Sequence, residues 1–322
     1  MAVYTDLGAE ALARLIAAWD VGTLVSSKGI AEGVSNSNWL IETSGSEQGS
    51  RFILTMYERR IDVADLPFFL GLLDDLSAAG LPVPRTIHDR DGAAYRMVEG
   101  KAVALIEFLS GVSPTNPDAE QARATGAVLA RMHEATRDYP RTRTNDLSPP
   151  HCAAVLQGFS SEELAAIAPA LPETQAEAAH IAERWPDDLP TSIIHSDLFP
   201  DNVLMLGNTV TGLIDFYFSC SGMMAYDLAV THAAWAFDKT GSTYRSDVGA
   251  ALLEGYESVR PLAPAERSAM PLLAQGACLR FVASRTEDWL DTPAGALVIR
   301  KDPMDFVRRW HFYEKQGSAL FA

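Results

Sequence analysis

The sequence predicts an α+β protein of two lobes, a small β-rich N-terminal lobe and a larger, mainly helical C-terminal lobe. Its 322 residues exceed what one hydrophobic core usually organises. Short β-type runs fill the first third, and helical periodicity dominates after Pro117, interrupted by one β-like island at residues 191–219. We place the lobes at residues 1–107 and 108–322, with the boundary near the linker-like segment 113–117.

Strands dominate the predicted N-terminal lobe. Apolar residues at helical spacing predict a short helix over 7–19, and a second helix is expected from Asp65 to Gly80. The polar, glycine-bearing segment 44–50 is typical of a hairpin turn. The β-type runs of this lobe are residues 39–41, 51–57, 85–88, 94–98 and 103–109.

Helices dominate the predicted C-terminal lobe. An apolar run over 228–237 is too short to cross a bilayer, and we expect it to be a buried core helix. Within the island, residues 193–194 and 212–214 are the expected strands. The segments with helical character are 118–135, 161–184, 224–238, 246–259, 264–290 and 301–315.

Composition and charge exclude several classes of protein. Twenty-six basic and 42 acidic side chains give a net charge of −16, and no basic cluster suits a nucleic-acid backbone. Cys152, Cys220 and Cys278 are widely spaced and match neither a disulfide framework nor a zinc site, which favours a reducing compartment. The N-terminus lacks a basic leader. We therefore expect a cytoplasmic protein with no nucleic-acid or membrane partner; the sequence leaves the oligomeric state open.

The most informative residues lie in the island. His195, Asp197 and Asn202 share one loop, and Asp215 follows a returning strand. This set suits magnesium-nucleotide chemistry, because phosphoryl transfer needs a carboxylate for the substrate hydroxyl and hard oxygen ligands for the metal. We assign Asp197 to the hydroxyl, and Asn202 and Asp215 to Mg²⁺. Taken singly, such residues are also common turn formers and helix N-caps; their combined spacing favours catalysis.

These motifs resemble the catalytic and metal loops of the aminoglycoside/choline phosphotransferase family. Ser196 stands where protein kinases carry Arg, and Phe216-Tyr217 where they carry Gly, departures that are usual for the small-molecule branch. The resemblance implies a protein-kinase-like fold, with ATP and Mg²⁺ in the site. It extends in the correct order to the segments Lys28–Asn38, Leu81–Pro84, Ile106–Gly111 and Gly126–His133.

The resemblance also implies which residues meet the nucleotide. Gly29 and Gly33 would let backbone amides approach the phosphates, and Ser35 and Asn36 would add side-chain donors. An ordinary turn between two strands would use the same residue types. In the hinge-like segment, we expect Glu107 and Leu109 to present backbone groups to adenine.

One departure concerns the ion pair that protein kinases place beside the phosphates, a Lys on the third strand and a Glu on the following helix. Thr55 occupies the inward strand position here, and Phe69 lies near where the Glu would fall. Both members of the pair are therefore predicted to be absent. Lys28, Arg59 or Arg60 could supply the phosphate charge, or could be solvated surface cations.

Other segments resemble the type II homoserine kinase branch, which implies phosphorylation of the homoserine side-chain hydroxyl in threonine biosynthesis. Without the resemblance, the residues indicate only a kinase that acts on a small hydroxyl compound. Choline, an aminoglycoside and methylthioribose are alternative substrates, and Trp235, Trp289 and Trp310 could form a cage for choline. The alternative from another functional class is a nucleotide-binding module without catalytic activity. The segments are Gly29–Gly33, Tyr57–Arg60, Asp65–Leu70, Leu279–Arg285, Asp288–Leu290 and Lys301–Pro303.

Homoserine is a zwitterion, so its site needs a cation for the carboxylate and an anion for the ammonium group. Arg280, Arg285 and Asp288 are candidates, with Trp289 as a wall, although the same spacing is typical of ordinary surface pairs along a helix. We group His195 with the catalytic loop. We expect it to hydrogen-bond backbone near Asp215 rather than to act as the base.

Overall fold

The α+β class predicted from the sequence is confirmed in a computed structural model, which divides into two compact units. The first unit comprises residues 1–112 and 211–217, and the second comprises 113–210 and 218–322. The sequence placed its boundary at 107/108 and gave no sign that 211–217 joins the first unit. The structure describes residues 8–30, 36–58, 61–292 and 300–322.

An antiparallel sheet forms the centre of the first unit. Its strand order is β1-β2-β3-β6-β4, and β5 also pairs with β6. The short strands β4 and β5 thus both pair with β6 rather than with each other. In chain order, the elements are α1 (Ala9–Ile16), β1 (Leu24–Ile30), β2 (Asn36–Ser46), β3 (Gly49–Tyr57), α2 (Leu66–Ala78), β4 (Thr86–Ile87), β5 (Arg96–Val98) and β6 (Lys101–Glu107).

The sheet buries a different helix on each face. Because successive strand side chains point to opposite faces, Leu54 and Met56 belong to one apolar cluster, which includes Leu12 of α1. Tyr57 belongs to the other cluster, with Leu70 of α2. Burial on both faces fixes the register of β3, since a slip by one residue would exchange the two sets.

Helices make up most of the second unit. The predicted continuous helix over 161–184 was wrong: Pro169 and Pro172 interrupt it, and Ala168, before the first proline, is extended. The helix α4 was not predicted. The elements are α3 (Ala119–Ala135), α4 (Pro149–Gln157), α5 (Ser161–Ile167), α6 (Thr174–Glu183), β7 (Thr191–Ile194), β8 (Val203–Leu206), β9 (Thr209–Leu213), β10 (Cys220–Met223), α7 (Met224–Trp235), α8 (Ser246–Glu257), α9 (Pro264–Asp291) and α10 (Met304–Leu320).

Close helix packing surrounds α7, whose residues are all buried. The prediction of a buried core helix over this segment is confirmed. Among the described residues, no helix has both the length and the apolar character needed to cross a membrane.

Helices α3 and α8 pack closely against each other. A Cβ atom added to Gly126 of α3 would lie 2.1 Å from the Leu252 carbonyl oxygen of α8.

Two short sheets lead into the loops that carry the predicted site. Strand β7 pairs antiparallel with β10, with Ile194 opposite Cys220. Strands β8 and β9 form a second two-stranded sheet. The chain leaves β7 at His195, so the buried end of this strand fixes where the following loop begins.

Candidate active site

The loop over residues 195–202 begins buried and then leaves the Asp197 carboxylate partly exposed. His195 and Ser196 are buried, whereas the Asp197 side chain is 19% exposed. Ser196 has φ of 66°, in the left-handed region that residues other than glycine rarely adopt. Such a conformation persists only where surrounding contacts impose it.

Asp227, on α7, supplies those contacts. Its Oδ2 atom accepts a hydrogen bond from the backbone N–H of His195 at 2.7 Å, and its Oδ1 atom accepts one from Ser196 at 2.7 Å. Nε2 of His133, on α3, lies 3.0 Å from Oδ2. The Asp227 side chain is fully buried. One carboxylate therefore joins the catalytic loop to two helices.

The surroundings of Asp227 keep it ionised. Burial alone would raise the pKa of this carboxyl, but hydrogen bonding to His133 and to the His195 backbone outweighs burial and holds the pKa below its usual range. The sequence alone assigned no role to Asp227. The available signal was an acidic residue within a helix whose other residues are mostly apolar.

Asn202 lies beside Asp197. Its Nδ2 donates to the Asp197 carbonyl at 2.8 Å and approaches the Asp197 Oδ2 atom at 3.4 Å. This use of the amide nitrogen leaves Oδ1 of Asn202 as an oxygen donor for a cation. On the other side of the loop, Nδ1 of His195 accepts a hydrogen bond from the Asp197 N–H at 3.3 Å. His195 thus shapes the loop around Asp197.

Arg280, on α9, also meets Asp197. Its side chain is 2% exposed, donates to the Ser196 carbonyl, and places Nη2 3.3 Å from the Asp197 Oδ1 atom. The rings of Phe218 and Phe281 lie 5.3 and 4.4 Å from the guanidinium carbon. Sequence reasoning placed Arg280 with the substrate; the contact with Asp197 was missed because 83 residues separate the two.

The other predicted substrate residues lie further along α9. Nη1 of Arg285 is 2.9 Å from Oδ2 of Asp305 and donates to the Asp302 carbonyl at 2.7 Å. Asp288 is exposed and Trp289 is half-buried, with Arg300 over its ring at 5.4 Å. Their contact with a substrate stays a prediction.

The predicted nucleotide residues belong to the first unit. Gly29 lies within β1, opposite Trp39 of β2, and Asn36 is the first residue of β2. Glu107 ends β6, where its N–H donates to the Arg85 carbonyl at 3.0 Å. Leu109 is half-buried just beyond. Four residues from the sequence analysis lie outside the described residues: Gly33, Ser35, Arg59 and Arg60.

Asp215 also belongs to the first unit, where it is exposed and has φ of 65°. Thr55 is buried on β3 and Phe69 is buried on α2. That Thr55 stands at the kinase Lys position, with Phe69 near the Glu position, stays a prediction. Lys28, a suggested source of phosphate charge, is exposed on β1.

Each unit, taken by itself, holds an amide oxygen of the type that ligates divalent ions. In the first unit, Asn36 Oδ1 is buried and lacks a hydrogen-bond partner among the described residues. In the second unit, Asn202 Oδ1 is left available by the contacts of its amide nitrogen with Asp197. No group of three or more His, Cys, Asp or Glu side chains converges in the described part of the chain.

A sheet-based unit, a helical unit and a clamped His-x-Asp-x4-Asn loop define a phosphotransferase of the protein-kinase-like class. The chain belongs to the phosphotransferase enzyme family, which matches residues 26–262. The predicted resemblance is confirmed by this match.

Relatives of known name cover nearly the whole chain. The sequence is 47% identical over 325 residues to a homoserine kinase of Methylobacterium radiotolerans, covering 99% of this chain and 98% of the relative. It is 48% identical over 319 residues to a homoserine kinase of Sinorhizobium fredii, covering 99% and 96%. The structure matches amicoumacin kinase in complex with AMP-PNP and Ca²⁺ with a TM-score of 0.72 at 14% identity, covering 96% of this chain and 94% of that one.

We expect Asp227→Asn to lower the free energy of unfolding by about 3 kcal/mol at pH 7, because hydrogen bonds to a buried charge contribute about 1.5–3 kcal/mol each. The lowered pKa of Asp227 means that its contribution is complete above the unfolded value of about 3.9 and is lost as the pH falls through the folded value. Urea unfolding at pH 7, and in steps from pH 5 to pH 3, measures both effects.

The matched control is Asp188→Asn, at an exposed position. The control should follow the wild type throughout. A difference between wild type and Asp227→Asn that stays constant down to pH 3 would contradict the role of the ionised carboxylate.

Proposed function

We propose that the protein is an ATP-dependent homoserine kinase, which transfers the γ-phosphoryl group of ATP to the side-chain hydroxyl of L-homoserine and releases O-phosphohomoserine and ADP. The observation that carries the proposal is the fixed Asp197 carboxylate, held by Arg280 and Asn202 on a loop that Asp227 clamps. The two homoserine kinases at 47% and 48% identity support the substrate.

Asp197 performs the protein's part of the chemistry. It accepts a hydrogen bond from the homoserine hydroxyl and orients its oxygen toward the γ-phosphorus. As the new O–P bond forms, the bond from that phosphorus to the ADP oxygen breaks, and the hydroxyl proton passes to Asp197. Its fixed contacts reduce the entropy that would otherwise be lost in reaching this geometry.

Asn202 and Asp215 are our proposed holders of a divalent cation, which we take to be Mg²⁺. When bound, such an ion neutralises charge on the phosphates. The AMP-PNP and Ca²⁺ in the amicoumacin kinase structure support a nucleotide and a divalent ion here. The proposed nucleotide residues are those predicted from the sequence: Gly29, Gly33, Ser35, Asn36, Glu107 and Leu109.

The structure weakens the choline alternative. A choline site needs aromatic side chains open to a quaternary ammonium ion. Trp235 and Trp310 are each 1% exposed, and Trp235 Nε1 donates to the Leu198 carbonyl at 2.9 Å. Only Trp289 of the three candidates is half-exposed.

We propose a cytoplasmic enzyme, in keeping with Cys152, Cys220 and Cys278, which are buried and unpaired in the described part of the chain.

A coupled assay of ADP release on homoserine, choline and kanamycin tests the substrate. We expect kcat/KM for homoserine to exceed that for choline by at least about 100-fold, because a site built to pair the polar groups of one ligand strongly rejects another that leaves them unpaired. A preference for choline would overturn the substrate assignment. The absence of ADP release with every hydroxyl compound would favour the silent nucleotide-binding module.

Asp197→Asn should lower kcat about 10³-fold, the usual range for loss of a general base. ATP affinity, measured by calorimetry, should change less than about threefold, since the side chain acts on the hydroxyl. Asp201→Asn, at an exposed position in the same loop, is the matched control and should keep full activity. Full activity in Asp197→Asn would contradict the assignment.

Arg280→Ala separates two roles for this arginine. If Arg280 fixes Asp197, kcat should fall about 10²-fold with little change in the KM for homoserine, because a displaced catalytic group loses about that much. If it binds the substrate carboxylate instead, KM should rise. Steady-state kinetics measure kcat and the KM for homoserine separately. Partial rescue by added methylguanidine would show that the lost guanidinium is responsible. Thermal unfolding checks that the variant is folded.

A further inference from the structure

A network of neutral side chains lies on the face of the first-unit sheet that packs against α2. Thr55 and Tyr57 are two residues apart on β3 and therefore point to the same face. Their cross-strand partners on β2 are Asn38 and Asn36. Tyr217, two residues after Asp215, reaches this face, where its hydroxyl lies 2.9 Å from the Tyr57 hydroxyl. We call Tyr57, Tyr217, Thr55 and Asn38 the hydroxyl network.

Thr55 and Asn38 form the second hydrogen bond of the hydroxyl network, beside the contact between the two tyrosines. Thr55 Oγ1 donates to Asn38 Oδ1 at 2.8 Å, and a carbonyl oxygen can only accept. Thr55 has then used its single proton to join β3 to β2. The hydroxyl contact between Tyr57 and Tyr217 is therefore the one that ties the segment after Asp215 to β3.

Aromatic contacts hold Tyr217 in the hydroxyl network. The Tyr57 ring meets the Tyr217 ring edge-on at 5.3 Å, and Phe69 of α2 meets it edge-on at 5.8 Å.

This network lies where the sequence predicts the positions of the protein-kinase Lys–Glu ion pair, with Thr55 at the Lys position and Phe69 near the Glu position. The first unit does contain a lysine–glutamate pair, Lys101 and Glu58, but on the other face. Ser37 donates to Glu58 at 2.7 Å and is the cross-strand partner of Met56, which belongs to the cluster with α1. Lys101 is therefore not a substitute for the kinase lysine.

We propose that the hydroxyl network positions Asp215 by tying the segment that follows it to β3. In protein kinases the Lys–Glu pair and the metal-binding Asp must both be in place for activity; here neutral hydrogen bonds and ring contacts do the corresponding work. Tyr57 and Tyr217 are thus positioning residues. This inference rests on the proposed function, because it assumes that Asp215 holds the divalent ion.

Binding of Mn²⁺ in the presence of ADP, followed by electron paramagnetic resonance of free Mn²⁺, tests the inference without turnover. Tyr217→Phe removes the hydroxyl that contacts Tyr57 and nearly conserves volume, so the fold should persist. It should weaken Mn²⁺ affinity about fivefold, the effect of losing one net hydrogen bond. The KM for homoserine should stay within about twofold, since the proposed substrate residues belong to the second unit.

Two further variants separate positioning from general stability. Tyr313→Phe is the matched control: it removes a buried tyrosine hydroxyl that lies 2.6 Å from Nδ1 of His232, in the second unit, and should leave Mn²⁺ affinity unchanged. Tyr57→Phe combined with Tyr217→Phe should weaken Mn²⁺ binding less than the two single effects multiplied, because both changes break one bond.

Equal Mn²⁺ affinity in wild type and Tyr217→Phe would overturn the inference, even if the variant unfolds at lower temperature. No Mn²⁺ binding to wild type with ADP would overturn it as well. Failure of the proposed function is a separate result: wild type would bind Mn²⁺ and lose affinity in the variants, yet release no ADP with homoserine.

Discussion

The Asp227 carboxylate on α7 is the constraint on which the rest of the site depends. A buried carboxylate is costly unless each oxygen is hydrogen-bonded, and here the donors are two consecutive backbone N–H groups and one imidazole. Two consecutive N–H groups on one carboxylate fix the backbone of His195 between them, and Ser196 comes next with its left-handed conformation. The side chain that follows, Asp197, is 19% exposed.

Arg280 completes the electrostatics of the loop from the opposite side. Its buried guanidinium binds the Ser196 carbonyl and approaches the Asp197 carboxylate. Leaving this cation without a partner would be costly. The loop is therefore held by the Asp227 carboxylate of α7 and the Arg280 guanidinium of α9. Neither helix can shift without breaking a charged contact. Rigid support of this kind places a catalytic group before the substrate arrives.

Local patterns made much of the fold and part of the site predictable. The strands of the first unit, most helices of the second, and the spacing of Asp197 and Asn202 all depend on neighbouring residues. The interruption of 161–184 was also local, since Pro169 and Pro172 were visible. The contacts of Asp227 and Arg280 were not predictable, because they join residues 31–32 and 83–84 positions apart. Only the packing of α7 and α9 decides which backbone groups meet them.

The side chains of the hydroxyl network are uncharged, and this has an electrostatic consequence. A Lys–Glu pair in a buried position carries a large desolvation cost, which hydroxyl and amide groups avoid. Yet hydroxyl groups bring no positive charge to a triphosphate, and Lys28 stands exposed on β1. In the proposed enzyme, the divalent ion would neutralise phosphate charge that the hydroxyl groups cannot, whichever of Lys28, Arg59 and Arg60 also contributes. Because Asp215 is a proposed ligand of that ion, a rigid attachment of its segment to β3 is the arrangement that such a site requires.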